Sequence, residues 1–405
     1  MKTPTPTPPR GSGTMPHCET AVEWLAVDCG TLPVRAAVAR FQGSGGSIDC
    51  HVTVQLIGNV HEPVETLDRA WRHALASAGV DASSTLFRRF FCSDIANQHE
   101  DLLDRTRPAP GAISIIGQTP LPAARFALWS QHLIDPSGPI DVVSNGGRSA
   151  LRRGALTHHW ITGLQDSSDD DSAVQTRRML DAHQRWLADN GMTLADHVVR
   201  TWWFVRDIDS NYQGLVGARR EIFSTHGLRP DTHYIASTGI AGSPREPAAK
   251  LSLDSHAIAG LLPGQVEHLH APEHLCPTHA YGVTFERATS VTYADRRHIY
   301  LSGTASIDPA GAIVHEGDVL RQLERTLENI DALLAKAGAN TGDLAVALVY
   351  LRDPADGAVV ERALREQLGG VPYVLVHAPV CRPGWLIEIE GLAIVSAHSD
   401  GLPPY

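Results

Sequence analysis

The sequence predicts an α+β protein in which one sheet-plus-helix module occurs three times. Three observations carry that prediction. An amphipathic helical pattern recurs at residues 68–80, 181–192 and 328–339, and each copy stops at a glycine, Gly79, Gly191 and Gly338. Glycine in that place is the common way to close a helix. An apolar strand pattern follows each helix and ends at an aspartate, Asp94, Asp207 and Asp353, with Gly-to-Asp spacings of 15, 16 and 15. The flanks repeat too: strand patterns at 159–164 and 298–307 precede the second and third helices, and a strand pair closes every copy, at 113–134, 233–258 and 373–395. Shared spacing in three places points to a repeated unit rather than to three generic αβ segments.

Residues 1–20 come first. Residues 1–14 (MKTPTPTPPRGSGT) are rich in Pro and Thr and lack the apolar stretch of a secretory signal, so 1–20 reads as a disordered tail. The modules are then expected at 21–140, 141–265 and 281–405, with a histidine-rich linker at 266–280. The breaks fall in the Pro- and Gly-containing stretches 136–145 and 263–277. Each module is expected to be a mixed sheet with helices on one face. Three fused copies imply a pseudo-threefold barrel, a satisfied internal trimer and hence a monomer, with ligand sites in the clefts between modules.

Composition narrows the function. The chain has 405 residues, 43% hydrophobic content and a formal net charge of −11. That balance argues against nucleic acid, whose recognition needs a basic footprint. No apolar run approaches a membrane span, so no membrane partner is expected. The six cysteines are scattered without a C-x-x-C pair, as in a reduced, cytoplasmic protein. An acidic chain that binds an anion must gather its arginines locally. Arg219, Arg287 and Arg382 are candidates, as is Arg206. Tyr212 and Arg219 are seven residues apart on one helical pattern, which places both on one face.

The chemistry is placed on residues 377–395, a Pro- and Gly-punctuated loop feeding an apolar strand that two carboxylates interrupt. Glu388 and Glu390 fall on one face of that strand, and Trp385, Ile387 and Ile389 on the other. A carboxylate there needs a cation, a solvated face or a catalytic role with a raised pKa. The role of Glu390 is left open, a solvated strand face being one reading. The first module has no acid at the matching place, and in the second only Asp254 lies near it, so one cleft is expected to be active.

Other constellations are weaker. The linker residues His268, His270, His274, Cys276 and His279 are irregularly spaced and broken by Pro272 and Pro277, so a solvated loop is expected in preference to a zinc site. The acidic run 166–172 reads as a solvated loop before a helix. No glycine-rich phosphate loop or nucleophile elbow occurs, so no cofactor is expected. Cys381 reads as a small pocket wall rather than a nucleophile.

These residues carry a resemblance. The third module, through Ile299-YLSG-Thr304, residues 329–338 and Cys381-R-x-x-x-LIEIEG, resembles the Rid-like (YjgF-type) fold. Over most of the chain the pattern is similar to the chorismatases of that superfamily. It rests on Arg89-FFCSDIANQ, Thr201-WWFVRDI, Tyr212-x6-Arg219, Tyr234-IASTGIAG, Phe285-E-Arg287-Ala288, Ser302-GTASI and Cys381-RPGWLIEIEG. The resemblance implies cofactor- and metal-free cleavage of the enol ether of chorismate, releasing pyruvate, with Glu388 as the general acid. It implies that Arg219 with Tyr212, and Arg287 with Tyr234, anchor the substrate, and that Arg382 lies beside it. It implies that Ala288 and Cys381 bias the product. Cys381 matches the hydroxybenzoate-forming type and Ala288 the other, a departure from both simple patterns that puts the isomer in doubt. 3-Hydroxybenzoate is placed ahead of 4-hydroxybenzoate. A dihydroxycyclohexadiene carboxylate product, a Rid-like imine or enamine hydrolase, and a non-catalytic ligand-binding protein are the alternatives.

Overall fold

The computed structural model describes residues 22–138, 140–145 and 147–405. The tail expected at 1–20 lies outside the described residues. Among the described residues the strands form three sheets.

The first sheet takes β1 (Val22–Val27), β2 (Val34–Gln42), β3 (Ile48–Leu56), β4 (Thr85–Cys92) and β5 (Ala112–Gly117), with helices α1 (Pro63–Ser77) and α2 (Ile95–Thr106). A two-residue strand, β6 (Thr119–Pro120), leaves it to pair elsewhere, and β7 (Phe126–Ile134) completes the order β1-β2-β3-β7-β4-β5. The second sheet takes β8 (Asp141–Asn145), β9 (Arg148–Arg153), β10 (Leu156–Gln165), β11 (Val198–Val205), β12 (Ala236–Ala241) and β13 (Leu251–Ala259). Its helices are α3 (Ser172–Asp189), the short α4 (Leu194–His197) and α5 (Ile208–Thr225), and its order is β12-β11-β13-β10-β9-β8. The third takes β14 (Val266–Leu269), β15 (Ala288–Thr292), β16 (Arg296–Ala305), β17 (Leu344–Leu351), β18 (Tyr373–His377) and β19 (Ile387–Ser396), with α6 (Val319–Lys336) and α7 (Gly357–Gln367). Its order is β14-β15-β16-β19-β17-β18-β6.

The repeated sequence unit is a repeated piece of structure. Gly79, Gly191 and Gly338 each adopt φ +70°, a left-handed conformation that costs glycine little. Each lies just past its helix, in the same closing pattern. The amide just after the glycine reaches back five positions: Val80 to Leu75, Met192 to Leu187 and Ala339 to Leu334. The strands that follow, β4, β11 and β17, are buried along their whole length. That explains why their sequences read as continuous apolar runs rather than as alternations. Each pairs in parallel with the strand after its crossover helix (β5, β12, β18) and antiparallel with β7, β13 or β19. Asp94 and Asp353 accept a backbone amide at the start of the next helical segment, whereas Asp207 sits at φ +46° and accepts none.

The sheets meet directly. Bridges join Gly117 to Ser243, Ala236 to Glu286 and Ile240 to Val380, while β6 pairs with β18. One buried core draws residues from all three, including Phe87, Trp129, Trp160, Trp202, Leu348 and Leu392. The Arg89 guanidinium lies 4.5 Å over the Trp202 ring and 2.9 Å from Asp254. Residues 266–269, inside the stretch read as a linker, form the edge strand β14 against β15. No helix of the described residues is long and apolar enough to cross a membrane.

Candidate active site

Glu388 lies on β19 opposite Tyr350 of β17 and Ala305 of β16. β16 breaks register between Leu301 and Thr304, and Gly303 sits in that break. The break opens room above the sheet, and the Glu388 carboxyl occupies it. A Cβ on Gly303 would overlap that carboxyl. The residue is 6% exposed, and among the described residues no donor is hydrogen-bonded to its carboxyl. Burial first, and the charge of Glu390 second, push its pKa up to about 8, against the pull of Arg287 and Arg200. At neutral pH it is therefore held as the acid.

Glu390 shares the face and has a different environment. It is 1% exposed, which removes the solvated strand face from the readings left open for it. Arg200 donates to its Oε2 at 2.5 Å, Trp202 Nε1 to Oε1 at 2.8 Å, Tyr350 to Oε1 at 3.0 Å, and the Thr238 hydroxyl also donates to Oε2. Arg89 adds charge 3.9 Å from Oε1. These donors satisfy both oxygens of the buried side chain. Neither Arg200 nor Trp202 could be assigned to it from sequence, because β11 of the second sheet brings them across the interface. Asp254 is its register counterpart in the second sheet. Leu251 pairs with Val205 as Ile387 pairs with Leu351, which aligns Asp254 with Glu390 and Ser252 with Glu388. In the first sheet Phe126 pairs with Cys92, so Ala127 holds the Glu388 position.

The Glu388 carboxyl faces a cavity of about 300 Å³ between the second and third sheets, within the size range of small-molecule sites. Helix α5 supplies Tyr212, Arg219 and Arg220, strand β12 supplies Ser237, Thr238 and Gly239, and the third sheet and its loops supply Arg287, Gly303, Cys381, Arg382 and Trp385. Among the described residues four arginines and one glutamate line it, in a chain of net charge −11. Such a lining suits an anion with more than one acidic group.

Each side chain has a local reason for its place. Arg219 and Tyr212 fall on one face of α5, as their spacing predicts, and both reach the cavity. Arg219 is held by Nε donation to Thr284 Oγ1 at 3.1 Å and Nη1 donation to Ser237 Oγ at 3.4 Å. A Cβ on Gly239 would press on the Tyr212 ring, so the glycine makes room for it. Arg287 is 5% exposed, donates to the Cys276 carbonyl at 3.0 Å and lies 5.4 Å over the Phe285 ring. Arg382 lies 5.1 Å over the Trp385 ring. The Cys381 thiol bonds Tyr212, and burial pushes its pKa up to about 12, so it lines the cavity as a neutral thiol.

Three expected placements differ. Tyr234 does not line this cavity. It lines a neighbouring one of about 250 Å³, which shares Arg287 as its partition and includes His270, Cys276 and His279. Ala288 is fully buried in β15 between Leu269 and Leu301 and lines neither cavity. Strand alternation turns it away from the side its neighbour Arg287 takes. Arg206 donates to the carbonyls of Ala249, Pro244 and Glu246 and fixes a loop. The linker histidines gather into no set of three metal-holding side chains among the described residues, and His268 stacks on His233 at 4.4 Å. Thr238, Ser237, Gly239 and Gly303 were not singled out from sequence. All four sit inside the short stretches Tyr234-IASTGIAG and Ser302-GTASI, the available signal.

Residues 287–395 match the family model described as Endoribonuclease L-PSP. A RutC family protein of Pyrococcus abyssi is 35% identical over 97 residues, which cover 24% of this chain and 76% of that one. A protein of Streptomyces hygroscopicus named 3-hydroxybenzoate synthase is 29% identical over 225 residues, covering 49% of this chain and 63% of that one. A chorismatase of Streptomyces rapamycinicus is 29% identical over 221 residues, covering 48% and 63%. The chain thus matches less than two thirds of the length of these two relatives. A crystal structure of a chorismatase shares the fold, with a TM-score of 0.59 and 19% identity over 77% of this chain and 93% of that one. The chain belongs to the Rid/YjgF-like (RutC, L-PSP) superfamily, and chorismatases are among its homologues within it.

Proposed function

We propose that this protein is a chorismatase that cleaves the enol ether of chorismate to pyruvate and a hydroxybenzoate, with Glu388 as the general acid. One observation carries the reading. A carboxyl that is buried, without a hydrogen-bond donor among the described residues and held protonated near neutrality, faces a cavity ringed by four arginines. Enol ether cleavage asks for that group. A proton delivered to the terminal carbon of the enolpyruvyl side chain leaves an oxocarbenium centre at the ether carbon. The ring C–O bond then breaks with its electron pair passing to the ether oxygen, which departs as the carbonyl of pyruvate. The ring fragment gives up one proton, which returns Glu388 to its acid form, to become the hydroxybenzoate. The arginines bind the two carboxylates of the substrate, Arg219 and Arg287 from opposite sheets, with Arg382 and Tyr212 alongside. Once the proton has left, the Glu388 carboxylate stabilises the cationic centre it has created.

Hydroxybenzoate and pyruvate together contain the atoms of chorismate, so that outcome consumes no net water. A dihydroxycyclohexadiene carboxylate would require one water molecule. The relative named 3-hydroxybenzoate synthase favours the 3-isomer for this chain, with the 4-isomer as the alternative. The neutral Cys381 thiol on the cavity wall is the group placed to bias that outcome. Tyr234 and Ala288 act through Arg287, which they adjoin in space or sequence. We read the three sheets as a pseudo-trimer closed within one chain, modules meeting near residues 140 and 265, which leaves a monomer as the working unit.

The similarity of residues 287–395 to the RutC family supports a second reading, hydrolysis of a small imine or enamine at the same cleft. Incubation with chorismate, enzymatic detection of pyruvate and chromatography of the ring product test the first reading. 2-Aminoacrylate in a parallel incubation tests the second. Pyruvate with an aromatic acid from chorismate supports the chorismatase reading. Turnover of 2-aminoacrylate alone overturns it, and so does inertness toward both.

A further inference from the structure

The clefts between sheets are furnished differently. The active cleft lies where α5 and β12 meet β16 and β19. The corresponding elements one module earlier, α2 and β5 against β10 and β13, enclose a larger cavity of about 800 Å³. β10 breaks register between Ile161 and Leu164 as β16 does between Leu301 and Thr304, which sets Gly163 in the place of Gly303. Ser252, the register counterpart of Glu388, faces this cavity. It is 2% exposed, and its hydroxyl has no hydrogen-bond partner among the described residues. A buried hydroxyl left unpaired is costly, and a bound polar group relieves that cost.

The lining is cationic. Arg107, Arg148 and Arg245 border the cavity beside His99, whose pKa burial and the Arg245 charge lower, and among the described residues no aspartate or glutamate lines it. Arg245 shares its charge with Glu100 at 2.6 Å, and Arg107 sits 4.0 Å from Asp104. Arg148 lies 5.3 Å over the Trp186 ring, and no carboxylate of the described residues pairs with it. Leu103, Ile113 and Ile116 supply apolar wall. Apolar walls, a guanidinium rim and a hydroxyl floor are the complement of a flat ring that bears a carboxylate.

We propose that the cleft between the first and second sheets is a second binding site for a small aromatic carboxylate, which it holds without transforming it. The acid that the neighbouring cleft presents is replaced here by a hydroxyl, so the site binds and does not protonate. Fluorine NMR of 4-fluorobenzoate titrated into the full-length protein tests this. The Arg148→Glu variant, altered at an exposed side chain, and the Ser252→Glu variant, which sets a like charge on the floor, locate the site. Melting temperatures establish that each is folded. Arg382→Ala is the control in the other cleft. The expected result is saturable line broadening whose midpoint weakens about tenfold or more in Arg148→Glu and is unchanged in Arg382→Ala. No broadening, broadening unchanged in Arg148→Glu, or broadening lost only in Arg382→Ala overturns the proposal. The measurement reads binding alone, so its failure leaves the reading of the Glu388 cleft untouched.

Discussion

The carboxyl of Glu388 lies so close against the α-carbon of Gly303 that any side chain at 303 would overlap it. The backbone of Gly303 is not in the left-handed region, so alanine there meets no conformational penalty. The methyl group acts chiefly on the carboxyl, with a lesser press on the Thr238 methyl at 3.2 Å. Gly303→Ala is expected to push Glu388 from its register break and to lower turnover of chorismate at least about tenfold, since small misplacements of a reacting group are costly. Substrate affinity should change less. Steady-state pyruvate release separates the two effects.

A second expectation concerns pH. The pKa of Glu388 is raised to about 8 in the folded protein, from an ordinary value of 4.5. A general acid works protonated, so kcat/KM should fall as pH rises through about 8. The stability effect has a definite sign. Between pH 4.5 and 8 the folded state holds a proton that the unfolded chain has lost, so stability declines across that window as pH rises. Glu388→Gln carries no such titration. It should match the natural protein near pH 4.5 and exceed it in stability at pH 8.5, by a few kcal/mol at about 1.4 kcal/mol per unit. Urea melts at the two pH values check this.

Glu390 is expected to matter for folding before chemistry. Glu390→Gln puts an amide donor against the side chains of Arg200, Trp202, Tyr350 and Thr238, all of which donate to that position. It also leaves the buried Arg200 without its counter-charge. Breaking a buried pair on one side costs about 3–5 kcal/mol, readable as a fall in the urea midpoint. The Glu390 charge also raises the Glu388 pKa. Whatever activity the variant keeps should therefore lose its alkaline limb at lower pH.

Arg219→Lys keeps the charge and loses the fork. The guanidinium is fixed through Thr284 and Ser237, and a lysine ammonium cannot keep both bonds and still present a flat pair of donors. The expected outcome is a KM for chorismate raised about tenfold, with a smaller change in kcat, as for an interaction made with the bound substrate throughout.

The repeated module was legible because its markers are local. A closing glycine, a buried strand and an aspartate at fixed spacing are set by backbone geometry within each copy. The pairing of Tyr212 with Arg219 was legible for the same reason, since both ride one helix. Glu388 stood out because an acid in an apolar strand demands an explanation. What escaped depends on contacts between modules. The four donors that make Glu390 structural come from β11, β12 and β17, and no periodicity in β19 points to the two strands of the second sheet. Tyr234 lies next to the right cavity, and only the partition made by Arg287 separates it. Strand β14 was hidden in a histidine- and proline-rich stretch because an edge strand of four residues carries little pattern.

The most direct test of the central claim is the rate of pyruvate release from chorismate by Glu388→Gln, beside the unaltered protein at neutral pH. Glutamine keeps the size and removes the transferable proton. A general acid typically contributes about 100- to 10,000-fold, so the account predicts a loss of at least about 100-fold in a variant that melts no lower than the original. A folded Glu388→Gln protein that releases pyruvate at close to the original rate would contradict it.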